Sequence, residues 1–211
     1  MTLALEVHAD ASAATRRVAG LVAERAREGA FTLALSRGAE LLACLGAEDI
    51  PWQRVTVYQV DERVAPSGDE DRNLTQLVAK LPADVVRAMP VEDSNLDTAV
   101  QRYAADLPKA LDLVHLGLGP DGHTASLVPD DPVLEVCDRL VALTGEYQGR
   151  RRMTLTYPAL DTAREIVWLV SGEAKREALA RLLARDTSIP AARVANPTQL
   201  VVADRAAARR R

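Results

Sequence analysis

Strand-like and helix-like stretches alternate along this chain of 211 residues, and the alternation limits its possible folds more than any other feature. The predicted strands lie near residues 3–7, 31–35, 54–60, 111–117, 139–144, 165–171 and 198–203. The predicted helices lie near residues 11–28, 39–46, 73–80, 96–110 and 174–185. Such alternation is typical of a parallel sheet with helices on both faces. We therefore expect an α/β fold with a mostly parallel, twisted, Rossmann-like sheet.

No linker rich in proline, glycine or serine divides the chain, so we expect one domain over residues 1–204. Residues 205–211 end in three arginines and are predicted to be a basic C-terminal tail. Asp10 is the expected N-cap of the helix near 11–28, and Gly29 its stop. An additional strand is expected from Arg152 to Tyr157, ended by the following proline.

Composition narrows the classes of function. The net charge of −4 argues against a nucleic-acid surface. The first residues carry no basic leader and no long apolar run, so we expect a cytoplasmic protein without a membrane partner. Cys44 and Cys137 are expected to be reduced packing residues, and His8, His115 and His123 lack metal-ligand spacing. The sequence thus predicts chemistry without a metal or cofactor, and it leaves the oligomeric state open.

The stretch from Leu113 to Leu127 is an apolar strand that runs into a glycine-rich turn presenting Asp121 and His123. Part of it, GLGPDG, matches the G-x-G-x-x-G pattern of dinucleotide-binding loops. Asp121, however, would face the pyrophosphate, Pro120 removes a backbone donor, and the predicted strand near 139–144 lacks the acidic ribose partner. We interpret the turn as an active-site loop rather than a nucleotide site.

Three further strand ends carry polar or charged residues: Asp61-Glu62-Arg63, Gly172-Glu173-Ala174-Lys175 and Ser36-Arg37-Gly38. Alone, each is compatible with a surface ion cluster or an ordinary helix start. Parallel strands, however, bring their carboxyl ends to one edge of the sheet, where ligands bind. Together with the loop, these turns predict a cleft for a polar substrate.

With these residues assembled, the chain resembles the 6-phosphogluconolactonases, which share a superfamily with the glucosamine-6-phosphate isomerases. The marks are Asp61-Glu62-Arg63, the stretch GLGPDGHTASL from Gly117, Thr154-Leu155-Thr156 with Pro158-Ala159-Leu160, and Gly172-Glu173-Ala174-Lys175. The resemblance implies hydrolysis of 6-phospho-D-glucono-1,5-lactone to 6-phosphogluconate, the second step of the oxidative pentose phosphate pathway. The isomerases carry a glutamate five residues after the histidine, where this chain has Val128, which disfavours the isomerase activity.

The resemblance also implies roles for individual residues. His123 would be the base that activates water, and Asp121 or Asp61 would orient the ring or the water. Backbone N–H groups of the 117–122 turn would stabilise the oxyanion, and Arg63 and Lys175 would hold the 6-phosphate. The expected substrate-binding set is Ser36, Arg37, Gly38, Arg63, Gly117, Gly119, Gly122, Arg152 and Lys175.

Alternatives remain at several positions. His123 could instead cap a helix, and His115, inside an apolar strand, is better read as a packed core histidine. Arg37 stands where the family usually has a glycine of its phosphate-binding turn, so it could obstruct the phosphate or replace the lost contacts. This departure motivates a second hypothesis, a catalytically silent relative that binds a sugar phosphate or regulates a partner. An α/β hydrolase is excluded because the chain has no Gly-x-Ser-x-Gly elbow.

Overall fold

The computed structural model describes residues 2–209. Its strands are β1 (Thr2–His8), β2 (Phe31–Leu35), β3 (Val55–Gln59), β4 (Asp61–Arg63), β5 (Val86–Arg87), β6 (Leu113–Gly117), β7 (Val141–Leu143), β8 (Arg152–Leu155), β9 (Glu165–Val170) and β10 (Thr198–Asp204). Its α-helices are α1 (Ala11–Glu28), α2 (Ala39–Ala47), α3 (Asn73–Val78), α4 (Leu96–Asp106), α5 (Tyr157–Asp161), α6 (Arg176–Leu183) and α7 (Arg205–Ala208).

Seven strands form one parallel sheet in the order β1-β10-β9-β6-β2-β3-β5. This confirms the predicted parallel, helix-covered sheet. The central strands β6, β2 and β9 are almost wholly buried, as strands with helices on both faces must be. Their carboxyl ends therefore meet at one edge of the sheet, which is where the charged turns follow.

Two hydrophobic cores lie on opposite faces of this sheet. One packs α1 and α2 against it through side chains such as Val18, Leu41 and Leu45. The other packs α4, α5 and α6 against it, with Trp168 at its centre. The start of α1 agrees with the prediction, because the Asp10 side chain accepts a hydrogen bond of 2.8 Å from the N–H of Ala13.

A second, antiparallel sheet of order β4-β8-β7 corrects one prediction. The segment near 54–60 is β3 of the main sheet, as expected, but the segment near 139–144, predicted as one of the alternating strands of the parallel sheet, pairs instead with β8. The chain leaves the main sheet after Gln59, and β4 also pairs with β8. The small sheet pairs Asp61 with Thr154, and it places Arg63 opposite Arg152.

The C-terminal segment is more ordered than a tail. Residues 205–208 form α7, whose start is capped by the Asp204 side chain and whose Ala207 is buried in the second core. Arg210 and Arg211 of the predicted tail lie outside the described residues. Within residues 2–209 no helix combines the length and apolar character needed to cross a membrane.

Candidate active site

The carboxyl ends of β2, β6 and β9 border a cleft of about 290 Å³, closed on another side by β4 and β8. Its lining residues are Ser36, Arg37, Asp61, Arg63, Asn73, Gly117, Leu118, Gly119, His123, Ala125, Arg152, Leu169, Ser171 and Lys175. The structure thus brings together residues from all four predicted turns. Of the predicted site residues, only Asp121, Gly38 and Gly122 do not line it.

Asp121 and His123 form a hydrogen-bonded pair in the turn after β6. The Asp121 Oδ1 atom lies 2.6 Å from His123 Nδ1 and also accepts a bond of 3.2 Å from the N–H of His123. With Nδ1 donating its proton to the carboxylate, Nε2 remains an acceptor. Residues 118–131, all of them described, contain no helix, so the alternative of His123 as a helix cap is wrong. The dinucleotide interpretation likewise lacks the helix N-terminus it requires.

The Asp121–His123 pair sits in an electrostatic setting that keeps the carboxylate charged. Partial burial raises the pKa of Asp121, but the backbone and side chain of His123 outweigh this effect, so the net pKa is lowered. A third side chain completes the group, because the Tyr147 hydroxyl donates a hydrogen bond of 3.2 Å to Asp121 Oδ2. Both carboxylate oxygens therefore have a donor, which fixes the orientation of Asp121.

Two glycines of the turn leave space that neighbouring side chains occupy. A Cβ on Gly119 would lie 2.1 Å from His123 Nδ1, and one on Gly122, whose φ is +84°, would lie 2.5 Å from Ile189 Cβ. The N–H groups of Gly119 and Gly122 donate to the carbonyls of His123 and Gly119, respectively. Both of these N–H groups are thus occupied within the loop, and the expected stabilisation of an oxyanion by the other N–H groups of the 117–122 turn stays a prediction.

Three arginines that line the cleft form what we call the arginine cluster: Arg37, Arg63 and Arg152. Arg152 is 5% exposed, and burial, followed by the neighbouring Arg63 guanidinium, lowers its pKa. The Nε atoms of Arg63 and Arg152 are buried, and neither has a hydrogen-bond partner within residues 2–209. Buried, unpaired guanidinium donors are costly alone, so this cluster is suited to receiving an anion.

Arg37 projects into the cleft from the turn after β2. With its amide oxygen turned toward this side chain, Gln76 accepts hydrogen bonds of 3.3 Å from Nε and Nη2 of Arg37. The N–H of neighbouring Ser36 is used in a bond of 3.3 Å to the carbonyl of His115. A Cβ on Gly38 would meet only Leu41 Cβ, at 3.7 Å, so packing alone does not require this glycine.

The two carboxylates of the Asp61-Glu62 pair have different environments. Asp61 lines the cleft. Its carboxylate accepts hydrogen bonds of 2.5 Å from Ser126 Oγ and 3.1 Å from Asn73 Nδ2, and burial raises its pKa. Glu62 points away from the cleft, is fully buried, and accepts the N–H groups at the start of α3, from Asn73 at 2.7 Å and Leu74 at 2.8 Å. Glu62 is therefore a helix-capping residue, held also by the buried Arg72.

Lys175 closes the cleft from a short 3₁₀ turn, Glu173–Lys175, that follows β9. Burial lowers the pKa of Lys175, and the charge of Asp121 opposes this shift. The lysine therefore stands within electrostatic reach of the Asp121–His123 pair.

His115 is 2% exposed and does not line the cleft, and burial lowers its pKa to about 4. The prediction of a packed core histidine is therefore confirmed.

Three residues at the site, Tyr147, Asn73 and Ser126, were not predicted from the sequence. Ser126 lies inside the glycine-rich stretch, but nothing in its spacing marks it as the partner of Asp61. Asn73 begins a predicted helix, where the usual role of an asparagine is to cap the helix N-terminus.

Within residues 2–209, no three His, Cys, Asp or Glu side chains are grouped so that they could hold a metal ion.

Comparison with known proteins places these features in context. A sequence profile described as glucosamine-6-phosphate isomerases/6-phosphogluconolactonase matches residues 6–203. The chain is 36% identical over 177 residues to the 6-phosphogluconolactonase of Nostoc sp., covering 75% of this chain and 73% of that protein. It is 35% identical over 191 residues to the 6-phosphogluconolactonase of Synechocystis sp., covering 81% and 77%. The crystal structure of 6-phosphogluconolactonase from Thermotoga maritima has a TM-score of 0.83 at 24% identity, over 96% and 99% of the two chains, and supports the fold.

Proposed function

The chain belongs to the glucosamine-6-phosphate isomerase/6-phosphogluconolactonase family, and from this premise we propose that it hydrolyses 6-phospho-D-glucono-1,5-lactone to 6-phosphogluconate. The observation that carries the proposal is the presence of the Asp121–His123 pair and the arginine cluster in and beside one cleft. A phosphorylated lactone needs both a base for water and cations for its phosphate.

His123 is the proposed base. Asp121 holds its Nδ1 proton, so Nε2 accepts a proton from the water that attacks the lactone carbonyl carbon C1. The resulting tetrahedral intermediate expels the ring oxygen, and the His123 imidazolium returns the proton to that oxygen as the C1–O bond breaks. The products are the open-chain acid and a neutral imidazole, ready for another turnover.

The arginine cluster is the proposed phosphate site. The guanidinium groups of Arg63 and Arg152 line the cleft and can donate to phosphate oxygens, and Arg37 and Lys175 add positive charge to the same cleft. Asp61 then balances the charge of Arg63 and Arg152, while its own position is fixed by the hydrogen bonds from Ser126 and Asn73. On this proposal, the Arg37 guanidinium replaces the phosphate contacts that a glycine at this position of the turn would allow.

The isomerase activity of the same family is not supported at residue 128, where the isomerases have a glutamate. Val128 is buried, 4% exposed, and offers no carboxylate to work with His123. The hypothesis of a catalytically silent sugar-phosphate binder rests on Arg37 alone. A protein that only binds has no use for an imidazole whose tautomer is set by a paired carboxylate.

The test is lactone hydrolysis measured against the spontaneous rate. The lactone is generated in situ from glucose 6-phosphate, and its disappearance is followed with wild type and with His123→Ala. We expect acceleration by wild type and a loss of at least about 10²-fold in the variant, the usual contribution of a general base. His8→Ala is the matched control, because His8 lies on the edge strand β1.

Two outcomes contradict parts of the proposal. Wild type that binds 6-phosphogluconate without accelerating hydrolysis would support the silent binder. Equal rates in wild type and His123→Ala would remove the imidazole from the mechanism.

A further inference from the structure

The loop between β7 and β8, residues 144–151, is closed by a hydrogen bond of its own and is tied to the segment that follows β4. Within the loop, the N–H of Tyr147 donates a hydrogen bond of 3.0 Å to the carbonyl of Arg150. Arg150 in turn forms ion pairs of 3.0 Å with Asp69 and 3.4 Å with Asp71, on the segment that follows β4. Nothing in the proposed reaction uses this loop, although its tip lies beside the catalytic pair.

Tyr147 is the residue of the loop that reaches the cleft residues. Its hydroxyl bonds Asp121 Oδ2 at 3.2 Å, and its ring packs edge-to-face on His123, with centroids 5.7 Å apart and an interplanar angle of 62°. The Arg152 guanidinium carbon lies 4.9 Å from the centroid of the same ring. One side chain therefore contacts both the proposed base with its carboxylate and one arginine of the proposed phosphate site.

These contacts differ in their chemistry. The hydroxyl occupies the second oxygen of Asp121, which leaves the first oxygen directed at His123 Nδ1. The ring face attracts the Arg152 cation, and an aromatic face is one of the few supports that a guanidinium can use without losing its hydrogen-bond donors. Gln148, the next residue, accepts 3.2 Å from Nη2 of Arg152 and holds the same side chain.

We propose that Tyr147 is a positioning residue with two separable roles, its hydroxyl orienting Asp121 and through it His123, and its ring placing Arg152 for the substrate phosphate. The inference rests on the proposed lactonase function. It assigns the hydroxyl to the rate of the chemical step and the ring to affinity for the phosphorylated ligand.

The test compares Tyr147→Phe, which removes only the hydroxyl, with Tyr147→Leu, which also removes the ring. Phe is expected to lower kcat about 3- to 10-fold, the effect of one lost hydrogen bond, with KM within about twofold of wild type. Leu is expected to lower kcat equally and to raise KM by about 3- to 10-fold as well. Tyr58→Phe is the control, since the Tyr58 hydroxyl donates a comparable hydrogen bond of 2.9 Å to the carbonyl of Asp106 and Tyr58 does not line the cleft.

Calorimetric binding of 6-phosphogluconate gives a second measurement that does not depend on turnover. Its Kd is expected to be unchanged in Tyr147→Phe and about 3- to 10-fold weaker in Tyr147→Leu. A folded Phe variant with wild-type kcat overturns the role of the hydroxyl. A folded Leu variant with wild-type Kd overturns the role of the ring. Absence of turnover in wild type contradicts the proposed function itself, and the binding comparison still decides the role of the ring.

Discussion

Replacing Gly119 with alanine is a one-carbon change that we expect to lower activity strongly while leaving the protein folded. The substitution adds a Cβ that would lie 2.1 Å from His123 Nδ1 and 2.5 Å from Asp121 Oδ1. Those two atoms make the 2.6 Å hydrogen bond of the proposed catalytic pair. Carbon and nitrogen or oxygen atoms normally approach to about 3.5 Å, so the two side chains must move by about 1 Å or more.

The expected magnitude follows from what this displacement removes. An imidazole without its orienting carboxylate loses the correct tautomer and position, and general-base catalysis contributes about 10²–10⁴ in rate. We therefore expect kcat of Gly119→Ala to fall at least about 10²-fold, about 2.7 kcal/mol of activation free energy. The unfolding free energy should fall by only about 1 kcal/mol, because the displaced groups are partly exposed side-chain ends that can move without shifting the backbone.

The assay is lactone hydrolysis above the spontaneous rate, with urea denaturation of the same preparations. Gly20→Ala is the matched control: its Cβ meets nothing within 4 Å in the interior of α1. That variant should keep full activity and gain about 0.5–1 kcal/mol, the difference between alanine and glycine in a helix. A folded Gly119→Ala enzyme with more than a tenth of wild-type kcat would refute the reasoning.

Three further predictions concern stability, pH and binding. Glu62→Gln should lower the unfolding free energy, measured by urea denaturation, by about 3 kcal/mol. The substitution removes a buried carboxylate that accepts two N–H groups of α3 and pairs with Arg72. A loss under about 1 kcal/mol would contradict this capping role. His115 has a folded pKa of about 4, below the ordinary 6.5, so the unfolded chain takes up the proton first as pH falls. The stability that depends on neutral His115 is thus complete above about pH 6.5 and is lost toward pH 4, about 3 kcal/mol in all, and His115→Leu should remove this part of the acid sensitivity. Arg37→Gly should weaken calorimetric binding of 6-phosphogluconate about 5- to 10-fold, as expected for one charge-assisted contact, and unchanged or tighter binding would mean that Arg37 does not hold the phosphate.

The main sheet was predictable because its signal is local. Strands such as β2, β6 and β9 are apolar runs that end at a turn, so they can be recognised one at a time. The parallel arrangement then implies that their carboxyl ends share an edge. That reasoning was enough to place Arg37, His123 and Lys175 on one cleft, although their individual roles stay predictions.

The small sheet could not be predicted in the same way. Strand β4 is three charged residues long, and it is a strand only because β8, about ninety positions later, pairs with it. Strand β7 has the same apolar pattern as a main-sheet strand, so its local sequence does not say which sheet it joins. The position of Tyr147 depends on that choice, because the loop between β7 and β8 carries it to Asp121. The capping role of Glu62 was missed for a similar reason: the helix N–H groups that it accepts begin eleven residues further along.

The register of β4 against β8 places two positive charges side by side, and we expect this arrangement to couple anion binding to the stability of the fold. Arg63 and Arg152 are direct cross-strand partners, and like charges in that position repel and weaken the sheet. An anion seated between them turns this repulsion into attraction, so occupancy is coupled to the melting of the whole domain. A ligand at a hundred times its Kd adds about 2.7 kcal/mol to the unfolding free energy. A thermal melt across a panel of phosphate esters should therefore rank ligands by affinity with no assay of turnover, and Arg63→Gln should flatten that ranking.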